Sequence, residues 1–119
     1  YEETDSISKK IEKVATRIYG AASVTFALPA RKKLQQIESQ GFGNLPVCIA
    51  KTQNSISDQA SLKGRPDGFT INIRDLKVNA GAGYVVAYAG EILTMPGMSA
   101  NPAAHGINLT DNGEITGIF

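Results

Sequence analysis

The stretch from Val78 to Gly97, V-N-A-G-A-G-Y-V-V-A-Y-A-G-E-I-L-T-M-P-G, restricts the fold more than any other part of the chain. It holds a small-residue loop (Ala80 to Gly83), then the longest apolar run, then Met95-Pro96-Gly97. Water disfavours such a run on the surface, so the neighbouring segments have to cover it. Tyr84 to Ala89 predicts a strand that ends at Gly90. Ala80 to Gly83 predicts a tight inter-strand turn, where glycine supplies a positive φ or a close backbone approach. Just upstream, Phe69, Ile71 and Ile73 alternate with Thr70, Asn72 and Arg74, the period of a half-buried strand. The apolar phase then slips by one residue, to Leu76 and Val78, which predicts a bulge near Arg74-Asp75. Glu91 to Met95 either continues the second strand or begins a short helix.

The remaining segments read as cover. Ile7, Ile11, Val14, Ala15 and Ile18 form an apolar stripe that predicts a helix from Ser6 to Tyr19, with Lys9, Lys10, Lys13 and Arg17 mostly off it. Thr4, Asp5 or Ser6 can cap it, and Gly20 suits its end. Ser23 to Phe26 predicts a short buried strand. Pro29 fits the first turn of a second helix with Ala30, Leu34 and Ile37 on its apolar face, ended by Gly41. Leu45 to Ala50 predicts a strand buried on both faces. Strand, helix and strand over 23–50 suggest a βαβ unit with a right-handed crossover. Asp111-Asn112-Gly113 between two β-prone segments signals a hairpin. The expected fold is α/β: one domain over residues 1–119, small and three-layer-like, with a mixed sheet, two N-terminal helices and a C-terminal β-hairpin.

The charges exclude some partners. Twelve basic and 11 acidic residues give a net charge of +1 without blocks of either sign. That argues against nucleic acid or a membrane surface as partner. No apolar run reaches the roughly 20 residues of a membrane helix, and the polar N-terminus is no signal peptide. Cys48 is the only cysteine, so an intrachain disulfide is excluded and a reducing compartment is expected. A start at Tyr1 and an end on Ile118-Phe119 suggest a piece of something larger.

Chemistry-bearing residues concentrate in Lys51 to Gly68, an irregular segment longer than a simple connector. It comes directly after a predicted strand, and loops at the carboxyl ends of strands line ligand crevices in open α/β sheets. Lys51, Thr52, Gln53, Ser55, Ser57 and Asp58 offer a cation, hydroxyls, an amide and a carboxylate. A capped, solvated loop explains them equally well. Gly81 and Gly83 form a G-x-G fragment without a third glycine at dinucleotide spacing, and no phosphate-loop motif is present. His105 lacks metal-ligating partners and is expected in an exposed loop. Cys48 is expected as a buried structural thiol, and Met95 and Met98 as core filling.

Several strings together resemble formate–tetrahydrofolate ligase. They are Leu45-Pro46-Val47-Cys48-Ile49-Ala50-Lys51-Thr52-Gln53 with Ser57-Asp58, Gly64-Arg65-Pro66 before Gly68-Phe69-Thr70, and Ala80-Gly81-Ala82-Gly83. Thr94-Met95-Pro96-Gly97, Pro102-Ala103-Ala104 and the ending Asp111 to Phe119 are similar to the same family. The resemblance covers nearly the whole chain and implies the C-terminal part of a longer enzyme. It implies an ATP-dependent reaction in which formate becomes formyl phosphate and tetrahydrofolate takes the formyl group. It implies ATP and tetrahydrofolate as substrates, with Mg2+ and a monovalent cation. The phosphate loop would lie in a missing N-terminal part, which becomes the expected partner, alongside a homo-oligomer of the full enzyme. The 119 residues alone are then expected to be inactive and to bind none of these. No catalytic or metal-binding residue is assigned. The resemblance makes Lys51, Thr52, Gln53, Ser57, Asp58, Gly64, Arg65 and Pro66 first candidates for nucleotide or folate contact, and the backbone of Gly81 and Gly83 second. The rival reading is a structural or oligomerisation module that touches no substrate. The expected location is cytoplasmic, with mitochondrial as the alternative.

Overall fold

The computed structural model describes residues 1–92 and 100–118. Chain order is α1 (Ile7–Arg17), β1 (Ser23–Phe26), α2 (Leu28–Ser39), β2 (Val47–Ala50), β3 (Thr70–Asn79) and β4 (Tyr84–Ala89). A 3₁₀ turn at Ala103–Gly106 leads into β5 (Asn108–Leu109) and β6 (Ile115–Thr116). The fold is α/β, with a four-stranded mixed sheet in the order β1-β3-β4-β2 and a separate two-stranded hairpin. Leu93 to Ser99 lie outside the described residues. The choice between strand and short helix over Glu91 to Met95, and the core role expected of Met95 and Met98, fall there.

The antiparallel β3–β4 pair is the centre of the sheet. Strand β1 joins β3 in parallel, and β2 joins β4 in parallel. Strands β1 and β2 consequently run in opposite directions at opposite edges. The expected βαβ crossover is therefore wrong. Helix α2 does not link parallel neighbours; the later, longer hairpin inserts between β1 and β2. Local periodicity reads strand and helix but carries no information about which strand a segment will pair with.

The bulge lies where the apolar phase slips: the β3–β4 register shifts between Ile73 and Asp75. Ile73 stands opposite Ala89, and Leu76 opposite Ala87. One extra residue keeps Ile71, Ile73 and Leu76 on the same buried side, each almost fully covered. That side packs against Ile7, Ile11 and Ala15 of α1 and Ala30 and Ile37 of α2. The helices touch each other over this one face. The described helices thus lie over one face of the sheet. The outer face shows Thr25, Asn72, Lys77 and Cys48, all exposed. Cys48 is accordingly not the buried thiol expected, and β2 is not buried on both sides.

Helix α1 selects Ser6 as its cap: Ser6 Oγ accepts the Lys9 N–H at 3.4 Å. Asp5 supports this end by accepting the Glu2 N–H at 3.0 Å and pairing with Lys13 at 2.5 Å. The hydrogen bond from Lys13 comes first among the influences holding the Asp5 carboxyl far below the usual range. Two positions depart from the apolar stripe. Ile18 caps the helix and is 73% exposed. Lys10 is fully buried. Its Nζ donates to the carbonyls of Gly43 and Leu45, each at 3.0 Å, and lies 5.8 Å from the Tyr1 ring centroid. Burial pushes this ammonium below the ordinary lysine value, while the Glu3 and Asp5 charges pull it back.

The C-terminal hairpin forms as its turn sequence predicts, with Thr110 and Gly113 closing the turn at 2.9 Å. Its residues stand clear of the core, with Leu109 71% and Ile115 61% exposed. The radius of gyration is 19.3 Å. A compact chain of this length would have about 13.5 Å.

Lys10→Ala is expected to destabilise the fold by roughly 2 kcal/mol, because two carbonyls lose their donor. Lys10→Met should cost less, since its stem still fills the space. Urea unfolding checks both, as a shift in midpoint at constant slope.

Candidate functional site

Strand β2 ends at Ala50, at the same end of the sheet as the finish of β4 and the start of β3. The Lys51–Gly68 segment occupies that end and is held in shape by its own polar groups. Ser55 and Gly64 form an isolated bridge. The Ile56 N–H donates to the Gly64 carbonyl and the Gly64 N–H to the Asn54 carbonyl, both at 3.1 Å. Ser55 Oγ accepts the Ser57 N–H at 2.9 Å, and Ser57 Oγ accepts the Gln59 N–H at 2.8 Å. Both serines are buried, so their hydroxyls serve the loop rather than a ligand.

Lys51 is committed in the same way. Its Nζ donates to the Ser55 carbonyl and, at 3.2 Å, to that of Thr52. It also lies 5.2 Å from the Tyr19 ring centroid, within cation–π reach. Burial pushes this ammonium below the ordinary lysine value. Lys51 is therefore a clip between the loop and Tyr19 at the end of α1, not the open cation expected.

Asp58 anchors the loop to the sheet. Its Oδ2 accepts the Asn72 N–H of β3 at 2.8 Å. Its Oδ1 is buried and has no hydrogen-bond partner among the described residues. The Asp58 backbone presses on Gly90, just past β4. A Cβ on Gly90 would lie 2.3 Å from the Asp58 carbonyl oxygen, and Gly90 has φ +71°. Only glycine fits there. The sequence marked Gly90 as a strand end; its role in seating the loop depends on a contact with a residue far back in the chain.

Of the other sequence candidates, Thr52 and Pro66 are half-buried, and Gln53, Gly64 and Arg65 are exposed. Arg65 has no ion pair or side-chain hydrogen bond among the described residues. Gly81 and Gly83 do not join this group. They form the β3–β4 turn, in which the Asn79 carbonyl accepts the Gly83 N–H at 2.8 Å. The six-residue β4 separates that turn from the loop by roughly 20 Å. Their glycines serve the turn. His105 is exposed, with Nδ1 3.3 Å from Asn101 Oδ1. Among the described residues, no group of three or more His, Cys, Asp or Glu could hold a metal ion. Nor is any of their helices long and apolar enough to cross a membrane.

The bulge makes a second concave region, which the sequence pattern did not single out as a site. A cleft of about 560 Å³ is lined by Lys33, Arg74, Asp75, Lys77, Tyr88, Gly90 and Ile92. Lys33 reaches Asp75 at 2.6 Å beside the β3 edge that β1 leaves unpaired beyond Ile73. Burial pushes the Asp75 carboxyl up. The hydrogen bonds from Lys33 and the Leu76 N–H outweigh that, and its pKa lies below the ordinary value.

The family model described as formate–tetrahydrofolate ligase matches residues 1–119. The chain belongs to the formate–tetrahydrofolate ligase family. It is 54% identical over 119 residues to a formate–tetrahydrofolate ligase of Symbiobacterium thermophilum, all of this chain and 21% of that protein. It is 55% identical over the same length to one of Bacillus pumilus, again 21% of the relative. A Chloroflexus aurantiacus ligase is 50% identical over 114 residues, 96% of this chain and 20% of the relative. The chain thus spans about a fifth of the length of the curated relatives it matches. The C-terminal placement implied by the resemblance is not borne out by these matches.

Two outcomes are expected here. Gly90→Ala should destabilise the protein by roughly 3 kcal/mol, through a positive φ and a backbone clash that cannot relax. Gly81→Ala, with open space around it, should stay within about 0.5 kcal/mol; thermal unfolding of both tests the contrast. The Asp75 carboxyl titrates lower folded than unfolded, so its contribution is present above about pH 4 and lost as pH falls through the folded value. Both partners are nearly half exposed, 44% and 45%, so the contribution is under about 1 kcal/mol. Unfolding midpoints from pH 2 to 6 should fall less steeply in Asp75→Asn.

Proposed function

We propose that this chain is a domain of an ATP-dependent formate–tetrahydrofolate ligase, and that its Lys51–Gly68 end helps wall the nucleotide and folate cleft. In that reaction formate oxygen attacks the γ-phosphorus of ATP, giving formyl phosphate and ADP. A tetrahydrofolate amine then attacks the formyl carbon, and phosphate leaves. Such phosphoryl transfer needs phosphate cradling and charge neutralisation. The sequence carries no phosphate-loop motif, so the remainder of the longer polypeptide would supply the ATP phosphate cradle, in a homo-oligomer.

One observation carries the cleft assignment: the buried, unpartnered Asp58 Oδ1 in a loop already fixed to the sheet. An unsatisfied buried carboxylate oxygen is costly. A ligand N–H or hydroxyl placed against it would remove that cost. In the same loop, Arg65 keeps its guanidinium uncommitted and suited to phosphate or carboxylate. The rival reading, an assembly module without substrate contacts, is favoured by the exposed apolar side chains of the β5–β6 hairpin.

Kinetics of the full-length enzyme separate the two. Arg65→Ala should raise KM for ATP or for tetrahydrofolate about tenfold, the size of one charge-assisted hydrogen bond, and leave the unfolding midpoint in place. Lys51→Ala should lower that midpoint first. If Arg65→Ala leaves both KM values and kcat at wild-type levels, the cleft role is wrong and the assembly role gains.

A further inference from the structure

We propose that the cleft at the β3 bulge is a binding site for a small oxyanion carrying two or more charges. It stands independently of the nucleotide and folate role above.

Three observations lead there. First, the bulge supplies Arg74 as an extra residue beside Asp75, opposite Tyr88, with Lys77 just beyond. A regular strand would alternate these side chains between faces. Bulges characteristically re-aim a side chain in this way. Secondly, the local carboxylate is already saturated. Asp75 Oδ1 accepts the Leu76 N–H at 2.8 Å and lies 2.6 Å from Lys33 Nζ, and Oδ2 takes Lys33 at 2.8 Å. Asp75 therefore fixes Lys33 in the cleft wall and has little left for the other two cations. Arg74 and Lys77 are exposed and have no partner among the described residues. Three cations against one carboxylate leave two positive charges uncancelled.

Thirdly, the cations stand around a concavity rather than on a convex surface. Its volume of about 560 Å³ falls within the range of small-ligand sites. Tyr88 also lines it. Gly90, required there by Asp58, adds no side chain to fill the space. A planar guanidinium and a mobile ammonium converging from two positions of one strand match a phosphoryl group or a cluster of carboxylates. The shared chemistry is a compact, multiply charged oxyanion.

Calorimetric titration of the full-length protein with tripolyphosphate, and in parallel with tricarballylate, tests the site and distinguishes the two sources. Wild type should bind at least one anion per chain. Arg74→Gln with Lys77→Gln should bind one fewer, or bind that one at least tenfold more weakly. The charge-matched control Arg17→Gln with Lys32→Gln should bind as wild type does. Preference for tripolyphosphate identifies a phosphoryl ligand, and preference for tricarballylate a carboxylate one. Equal binding in all three proteins, an equal loss in both variants, or no binding by wild type overturns the proposal. Should the double variant fail to fold, Arg74→Lys provides the reading. It keeps the charge but not the fork, and should weaken binding about threefold or more; wild-type affinity there removes Arg74 from the site.

Discussion

The extra residue in β3 is the constraint on which the rest depends. Ile71 and Ile73 face the helices before it, and Leu76 and Val78 after it. In an unbroken strand of this sequence, one of these pairs would point to water. The core could then not close against both helices, and burying these side chains contributes about 1.5–3 kcal/mol each. The bulge solves a packing problem, and the arrangement of Arg74, Asp75 and Lys77 comes with it. Core and cleft are two sides of one backbone irregularity.

The two ends of the sheet answer different physical demands. At one end, Asn79 to Tyr84 make a short turn closed by backbone hydrogen bonds. At the other, a long loop must be kept against the sheet without a helix or strand of its own. It is held by Asp58 on the Asn72 N–H, by the bare approach at Gly90 and by Lys51 bridging to Tyr19. Lys10 does the equivalent for the segment between α2 and β2. In both cases a lysine ammonium is taken out of water to organise carbonyls that no secondary structure satisfies. Losing the donor then costs more than the bond itself contributes.

What could be read from the sequence was what is local. The phase slip at Arg74-Asp75, the end of β4 at Gly90, the narrow face of α2 and the Asp111-Asn112-Gly113 turn are all set within a few residues. The pairing of β1 with β3 was not legible, because four residues of strand say nothing of their neighbours. The exposure of Cys48 was hidden because an apolar segment does not reveal that one face of its sheet is open. The burial of Lys10 was hidden for the converse reason. Its position, three residues after Ile7 and next to Ile11, is geometrically part of the buried face, but a charge ordinarily points outward.

The same distinction narrows the candidate site. Polar residues make Lys51 to Asp58 look rich in binding groups, but composition does not show how many the loop uses for itself. Ser55, Ser57, Lys51 and one oxygen of Asp58 are spent on holding its shape. Under the proposed cleft role, what remains for recognition at this end is the second Asp58 oxygen, the Arg65 guanidinium and the Gln53 side chain, since Thr52 Oγ1 already accepts the Asn54 N–H at 3.3 Å. Committed groups are not idle in such a site. A loop fixed beforehand loses less conformational freedom when a ligand arrives, so the few free groups can bind more tightly than a larger mobile set would.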